Sequence, residues 1–222
     1  MQAAPPQVKG AAPYVGQRLP RLEDHALLTG RGAYADDLGA KPGTLHAAVL
    51  RTPHAHARLK HLDVSAALRL PGVRAVLTGE DVQRWAKPFV VGVKQPMQHW
   101  ALAVDRVRYV GEPVAVVVAQ NRYIAEDALD LIRVEYETLP ALVDIEAAVA
   151  DGAVLLHEAV GSNVVSERHF SYGEPEAPFS GTQRISTTVH YPRNSCSPME
   201  CAVVVAEYLG EDEGYDVLSN FM

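Results

Sequence analysis

A chain of 222 residues, 48% hydrophobic and 21% charged, has ordinary globular composition and enough apolar mass for one large domain or two small ones. A formal net charge of -7 and a pI near 5.7 exclude the domain-wide basic footprint of a nucleic-acid binder. The longest apolar run, Pro113 to Ala119, is far too short to span a bilayer, and the Ala/Pro/Gly-rich start lacks the apolar stretch of a secretory signal. A soluble, cytoplasmic protein with no membrane partner is therefore expected.

Residues 1–22 read as an extended lead-in, because their prolines forbid regular structure. Turn signals follow at Asp36-Asp37 and Pro42-Gly43. Residues 44–51 read as a strand, with RLKHLDV at 58–64 as its pairing partner. A short helix over 65–70, with Asp63 and Ser65 as candidate caps, is stopped by Pro71-Gly72. A strand at 73–78, a helical turn at 79–85 and an irregular loop at 86–101 come next. The run RVRYV at 106–110 reads as a strand, and 114–119 as a buried one. Asn121 is placed to cap a helix over 122–134, with Ile124, Ala128, Leu131 and Ile132 on one face. A strand at 133–138 and a short helix at 144–150, capped by Asp144, follow.

Beyond residue 152 the pattern changes. The segments NVVSERHFSYG (163–173) and TQRISTTVHY (182–191) alternate and carry β-branched and aromatic residues, which predicts strands. Two apolar runs around the polar turn GEDEG (210–214) predict a hairpin. The chain thus divides into a mixed α/β part, 23–142, and a β-rich part, 143–222. Its last strand runs to Met222 with a bare edge, so further protein is expected to complete that sheet.

Among chemically suggestive residues, RTPHAHARLK (51–60) sets His54 and His56 at alternate positions. On a strand they would point the same way, as metal ligands do. His46 and His61 are near in sequence, but no carboxylate cluster joins them, and Arg51, Arg58 and Lys60 would repel a cation. The favoured reading is imidazoles that hydrogen-bond backbone groups at a sheet edge or subunit contact, ahead of a metal site. Cys196 and Cys201 form a lone C-x4-C, which reads as two reduced, partly buried thiols and not a zinc site. Gly30-x-Gly32 neither follows a strand nor opens a helix, so it is no dinucleotide fingerprint, and neither a Walker A nor a G-x-S-x-G sequence occurs. Glu200, just before an apolar run, is either a buried acid with a shifted pKa or, more commonly for such a residue, a brace for a turn.

Four blocks taken together carry a resemblance: RLEDHALLTGRGAYADDL, RTPHAHARLKHLDVSAALRLPGVRAVLTGEDV, LAVDRVRYVGEPVAVVVAQNRYIAEDALDLIRVEYETLPALVDIEAAV and SPMECAVVVAEY. In this order the chain resembles the large, molybdenum-binding subunit of the xanthine dehydrogenase/aldehyde oxidase family, from about residue 18 to its end. The resemblance implies an α+β fold: an α/β hammerhead domain over 23–142, then the β-rich, incomplete start of a molybdopterin-binding domain over 143–222. It implies part of an oxidoreductase that hydroxylates aldehydes, purines or other N-heterocycles with oxygen from water or, in a variant, oxidises carbon monoxide. The implied cofactor is molybdopterin, often its cytosine dinucleotide, with Fe–S clusters and FAD on partner subunits. The partners implied are the remaining molybdopterin-binding portion, an Fe–S subunit and a FAD subunit.

The family's glycine-rich cofactor loop and catalytic glutamate lie beyond the matched region, so the resemblance assigns no catalytic, cofactor-binding or metal-ligating residue to this chain. Met222 stands where the family often has a glutamine that hydrogen-bonds a molybdenum oxo ligand, and a thioether cannot donate that bond. His54 and His56 belong to the family's hammerhead signature and are expected to hold local geometry or a contact with a neighbouring domain. The function expected is a structural portion or split subunit of a molybdenum hydroxylase, inactive alone; the alternative is a non-catalytic interaction module that reuses the hammerhead domain.

Overall fold

The computed structural model describes residue 14 and residues 17–89, 97–173, 183, 185–192, 194, 197–198, 200–211 and 213–220. In chain order its elements begin with α1 (Asp24–Leu28), a 3-10 turn (Ala35–Leu38), β1 (His46–Arg51), β2 (Ala57–Asp63), α2 (Ser65–Arg69), β3 (Val73–Thr78) and α3 (Gly79–Trp85). They continue with β4 (Arg106–Val107), β5 (Pro113–Ala119), α4 (Arg122–Leu129), β6 (Arg133–Thr138), α5 (Ile145–Val149), a second 3-10 turn (Glu158–Val160), β7 (Val204–Gly210) and β8 (Gly214–Ser219). No helix among the described residues is long and apolar enough to cross a membrane. The chain forms two compact units, residues 41–187 and residues 1–40 with 188–222.

In the unit of residues 41–187, β5 explains most of the arrangement. Its sequence, PVAVVVA, combines β-branched residues that favour extended backbone with small alanines. β1 and β3 pair antiparallel on its two sides, in the order β1-β5-β3, so both of its edges are occupied. Ala115, Val117 and Ala119 alternate onto one face and meet Ala67 of α2, Ala125 and Ala128 of α4, and Ile132. The alanines of α4 let the helix lie close to the sheet. Val114, near the start of the strand, joins a second cluster with Ala57, Ala103 and Val107. That cluster lies by the second sheet, order β4-β2-β6, whose Leu59, Val134 and Tyr136 pack against it.

Local chemistry sets the ends. The Asn121 side chain accepts from the Ile124 amide at 3.0 Å, and Asp144 accepts from the Ala147 amide at 2.7 Å, so both expected caps form. Thr78 and Asp81 make a capping box at α3. Gly79, the first residue of α3, lies so close to the Ala103 backbone that an added Cβ would collide with the Ala103 carbonyl oxygen. Pro71-Gly72 makes a tight turn closed by Val73 N–H donating to the Leu70 carbonyl at 3.1 Å, and Gly72 takes φ +95°, which suits glycine.

Several expectations are corrected. β2 pairs with β4 and β6, not with β1; its own residues Leu59 and Leu62 go to the second cluster, while β1 is taken by β5. Only Arg106–Val107 of RVRYV is strand, because residues 108–112 fold into a turn with Glu112 N–H donating to the Tyr109 carbonyl. α4 ends at Leu129 because the chain must reverse to enter β6; Ala125 is buried on its inner face, whereas Leu131 stays partly exposed. The cap position of α2 is Val64, and Asp63 acts one residue earlier by accepting from the Ser65 amide at 2.9 Å. Of the described residues in 163–173 and 182–191, none is in a strand: Phe170, Tyr172, Ile185, Val189 and Tyr191 are all exposed, and alternation without a paired edge does not make a ladder. His54 and His56 lie in the turn between β1 and β2, outside either strand.

In the other unit, β7 and β8 form the expected antiparallel hairpin, with Tyr208 and Tyr215 cross-strand partners whose rings are 5.2 Å apart. Asn220 locks its base: Oδ1 accepts from the Val203 amide at 2.8 Å, and Nδ2 donates to the Cys201 carbonyl at 2.9 Å. Cys201 is exposed where a partly buried thiol was expected; Cys196, Met222 and most of the expected lead-in lie outside the described residues.

Gly79→Ala is expected to destabilise the chain by about 1–3 kcal/mol or more, since its methyl meets rigid backbone. Asn121→Ala is expected to cost about 0.5–2 kcal/mol through loss of the cap. Urea unfolding of each variant beside the parent checks both.

Candidate functional site

The richest polar constellation in residues 41–187 grows from the turn at 52–56. Thr52 is buried, its amide donating to the Glu112 carbonyl at 3.0 Å and its carbonyl accepting from Gly111 N–H at 2.8 Å. This reciprocal pair clamps the 52–56 turn onto the 108–112 turn, and Arg51 Nη1 adds a bond to the Gly111 carbonyl at 2.8 Å. The Thr52 hydroxyl accepts from the His54 amide at 3.0 Å. The His54 ring leans on Tyr136 of β6, centroids 4.6 Å apart.

His56 is buried and tied twice to the chain leaving β6. Its Nδ1–H donates to the Pro140 carbonyl at 2.9 Å, and its own carbonyl accepts from Leu139 N–H at 2.9 Å. The carbonyl partner fixes the tautomer, so in the neutral ring Nε2 is the lone-pair atom. It has no hydrogen-bond partner among the described residues. A backbone hydrogen bond is thus what His56 makes; His54 engages through its amide and its ring. The structure does not gather His46, His54, His56 and His61 with carboxylates, and no group of three or more His, Cys, Asp or Glu able to hold a metal occurs among the described residues.

Behind the 108–112 turn lies a charged cluster that sequence reading missed. The Glu112 carboxylate is buried and accepts from the Arg108 amide. Burial pushes its pKa up, against the opposing pull of that hydrogen bond and of the Arg108 charge. Arg108 Nε donates to the Leu156 carbonyl at 2.8 Å, and burial lowers its pKa despite Asp105 and Glu112. Arg106 Nη1 meets Glu158 Oε1 at 3.1 Å, while its Nε faces Asp105 Oδ2 at 3.4 Å. Burial opposes the Arg106 charge, but these two carboxylates outweigh it and hold its pKa up. Asn163 then brackets the segment it ends: Oδ1 accepts from the Leu156 amide at 3.1 Å, and Nδ2 donates to the Ala148 and Val154 carbonyls at 3.0 and 2.9 Å. A carboxylate between Gly111 and Pro113, directly before the most apolar strand, was the available sequence signal: a buried charge there needs a donor. The Asn163 side chain had no comparable signal.

In the other unit, Glu200 Oε2 accepts from the Ala35 amide at 2.9 Å, so it braces the start of the 3-10 turn at Ala35–Leu38. It borders a cleft of about 160 Å³ lined by Tyr34, Val203, Val205, Leu218 and Asn220 among others. That is below the roughly 300–1,000 Å³ of ordinary cofactor pockets. In the clusters around Glu112, His56 and Glu200, acids, guanidiniums and the buried imidazole face backbone or each other.

Residues 29–140 match the family described as the aldehyde oxidase and xanthine dehydrogenase a/b hammerhead domain. This makes the two antiparallel three-stranded sheets and their helices a hammerhead fold. The chain belongs to the aldehyde oxidase and xanthine dehydrogenase family. It is 38% identical over 199 residues to the nicotine 6-hydroxylase large subunit of Paenarthrobacter nicotinovorans, covering 87% of this chain and 24% of that one. It is 34% identical over 161 residues to the xanthine dehydrogenase molybdenum-binding subunit of Escherichia coli O157:H7, covering 69% of this chain and 21% of that one. The solved structure of quinoline 2-oxidoreductase from Pseudomonas putida 86 superposes with a TM-score of 0.76 at 39% identity, covering 94% of this chain and 27% of that one. The chain spans about a quarter of the length of the curated relatives it matches.

The Glu112 carboxyl gives a signed pH prediction. With its pKa raised in the fold, its stabilising contribution is full below the ordinary glutamate range and is lost as pH rises through the raised value. Glu112→Gln keeps an acceptor for the Arg108 amide but does not titrate. The stability of this variant relative to the parent should therefore improve from acid to neutral pH, as read by urea unfolding at both; a difference that stays flat or moves the other way contradicts the assignment.

Proposed function

We propose that this chain forms the hammerhead domain, residues 23–142, and the β-rich beginning, residues 143–222, of the molybdopterin-binding portion of a molybdenum hydroxylase. The complete assembly would oxidise an aldehyde or N-heterocycle with oxygen from water and pass electrons to Fe–S and FAD partners, in the cytoplasm. The observation that carries this reading is the joint likeness to quinoline 2-oxidoreductase, in fold over 94% of the chain and at 39% identity. The relative from Escherichia coli whose name records molybdenum binding supports the metal. The word subunit in both relatives' names supports shared work among polypeptides.

The described residues do not fit the cofactor itself. The cleft beside Glu200 is too small for a pterin, and the histidines at 54 and 56 are committed to the β6 side of the domain. No chemical step is assigned to residues of this chain, and molybdopterin, in whichever nucleotide form, is assigned to the remaining molybdopterin-binding portion. The chain's task is to buttress that portion and the electron-transfer partners.

Recombinant chain produced alone should hold no stoichiometric molybdenum and show no turnover of aldehydes or N-heterocycles. Both should appear when it is co-produced with a family polypeptide that carries the glycine-rich cofactor loop. Turnover by the isolated chain overturns the proposal; failure of every such polypeptide to bind it favours a non-catalytic interaction module instead.

A further inference from the structure

Charges on one face of the second sheet fall in a row. The register sets Glu137 of β6 opposite Arg58 of β2, and Arg58 opposite Arg106 of β4. Residues opposite each other on antiparallel strands share a face, with Cβ atoms about 4.5–5.5 Å apart, and like charges so placed destabilise the pairing. On one side Arg58 meets Glu137 at 4.0 Å, an acid that Lys60 also approaches at 3.8 Å. On the other side stands Arg106, whose side chain is only 12% exposed, so water does little to screen its charge.

β4 has little of its own with which to resist that repulsion. It is two residues long and lies at the edge of its sheet. Val107 anchors its apolar side in the core, and the Asp105 carbonyl just before it accepts from the Leu59 amide at 2.9 Å. Compensation comes from the segment after α5. Glu158 Oε1 accepts from Arg106 Nη1 at 3.1 Å, and the Arg58 charge reaches the same carboxylate. Asp105 is the poorer counter-charge. It stands 3.4 Å from Arg106 Nε, which has no hydrogen-bond partner among the described residues, and it is shared with Arg108 at 3.7 Å. The row therefore reads acid, base, base, acid, and its last member is supplied from outside the sheet.

We propose that Glu158 is the counter-charge that holds β4 on β2, so that docking of residues 154–161 and pairing of the sheet edge are one coupled step. Asn163 closes the segment on itself by bonding Ala148, Val154 and Leu156, and Arg106 and Arg108 then fasten it to the β4 side. A group that draws Glu158 away from Arg106 loosens β4 as well, while the β1-β5-β3 sheet keeps its pairing.

The test is hydrogen exchange on the full chain at one pH, read by NMR, with Glu158→Gln, which keeps an acceptor for Arg106 and removes only the charge. The Leu59 amide reports on β4 pairing, and Arg108 Nε–H, bonded to the Leu156 carbonyl at 2.8 Å, reports on docking of the segment. Both should lose about two- to fivefold in protection, the scale of a partly exposed ion pair, while β5 amides keep theirs. In a chain that already carries Arg58→Gln the opposed charge is gone, and adding Glu158→Gln should leave Leu59 protection unchanged. Unaltered Leu59 protection in Glu158→Gln alone overturns the proposal. A loss of the same size in the Arg58→Gln background overturns it too, because the carboxylate would then act without the opposed pair.

Discussion

A short strand buried along most of its length governs residues 41–187. β5 is hydrogen-bonded on both edges, sends Ala115, Val117 and Ala119 into one apolar cluster and Val114 into another, and so couples two separate sheets through one backbone. Burial of that kind is non-directional and strong, about 1.5–3 kcal/mol for each fully buried valine-sized side chain. Direction has to come from elsewhere. It comes from the polar turn just ahead of the strand, where Gly111 and Glu112 exchange backbone hydrogen bonds with Thr52 and the Glu112 carboxylate folds back onto Arg108. Apolar burial sets how firmly β5 sits, and these polar contacts fix where it begins.

The two histidines that invite a metal reading are part of the same device. His56 spends its Nδ1–H and its carbonyl on the chain after β6, and His54 spends its ring on Tyr136. Together with Thr52 they tie the end of β1, the start of β2 and the exit of β6 into one junction. Its contacts are those of a scaffold, in a family whose relatives carry the matched region as about a quarter of one longer chain.

What the sequence made legible followed physical locality. β1, β3, β5, β6, the hairpin of β7 and β8, and the caps at Asn121 and Asp144 could be read because each is declared by its own residues: β-branched runs, a polar turn, an amide or carboxylate before a helix. Pairing was less legible. β2 looked like a partner for β1 because the two are adjacent, yet the most apolar strand, β5, claims β1 from more than sixty residues away. Alternation misled at 163–173 and 182–191, where side chains suited to a sheet stay exposed among the described residues. Of the polar contacts, Glu200 was legible as a brace, whereas Asn163 and Asn220 were not. Their amides act by satisfying several backbone groups brought near only by folding, and no spacing in the sequence encodes that.

The central claim is that this chain is a scaffold whose chemistry belongs to a larger assembly. The most direct measurement is to isolate the tagged chain from its own cells under native conditions and determine, in one sample, its co-eluting polypeptides and its molybdenum content. The account predicts molybdenum in stoichiometric ratio to the chain, carried by the remaining molybdopterin-binding portion of the family's large subunit. A solitary, monomeric chain that turns over a small substrate would contradict it.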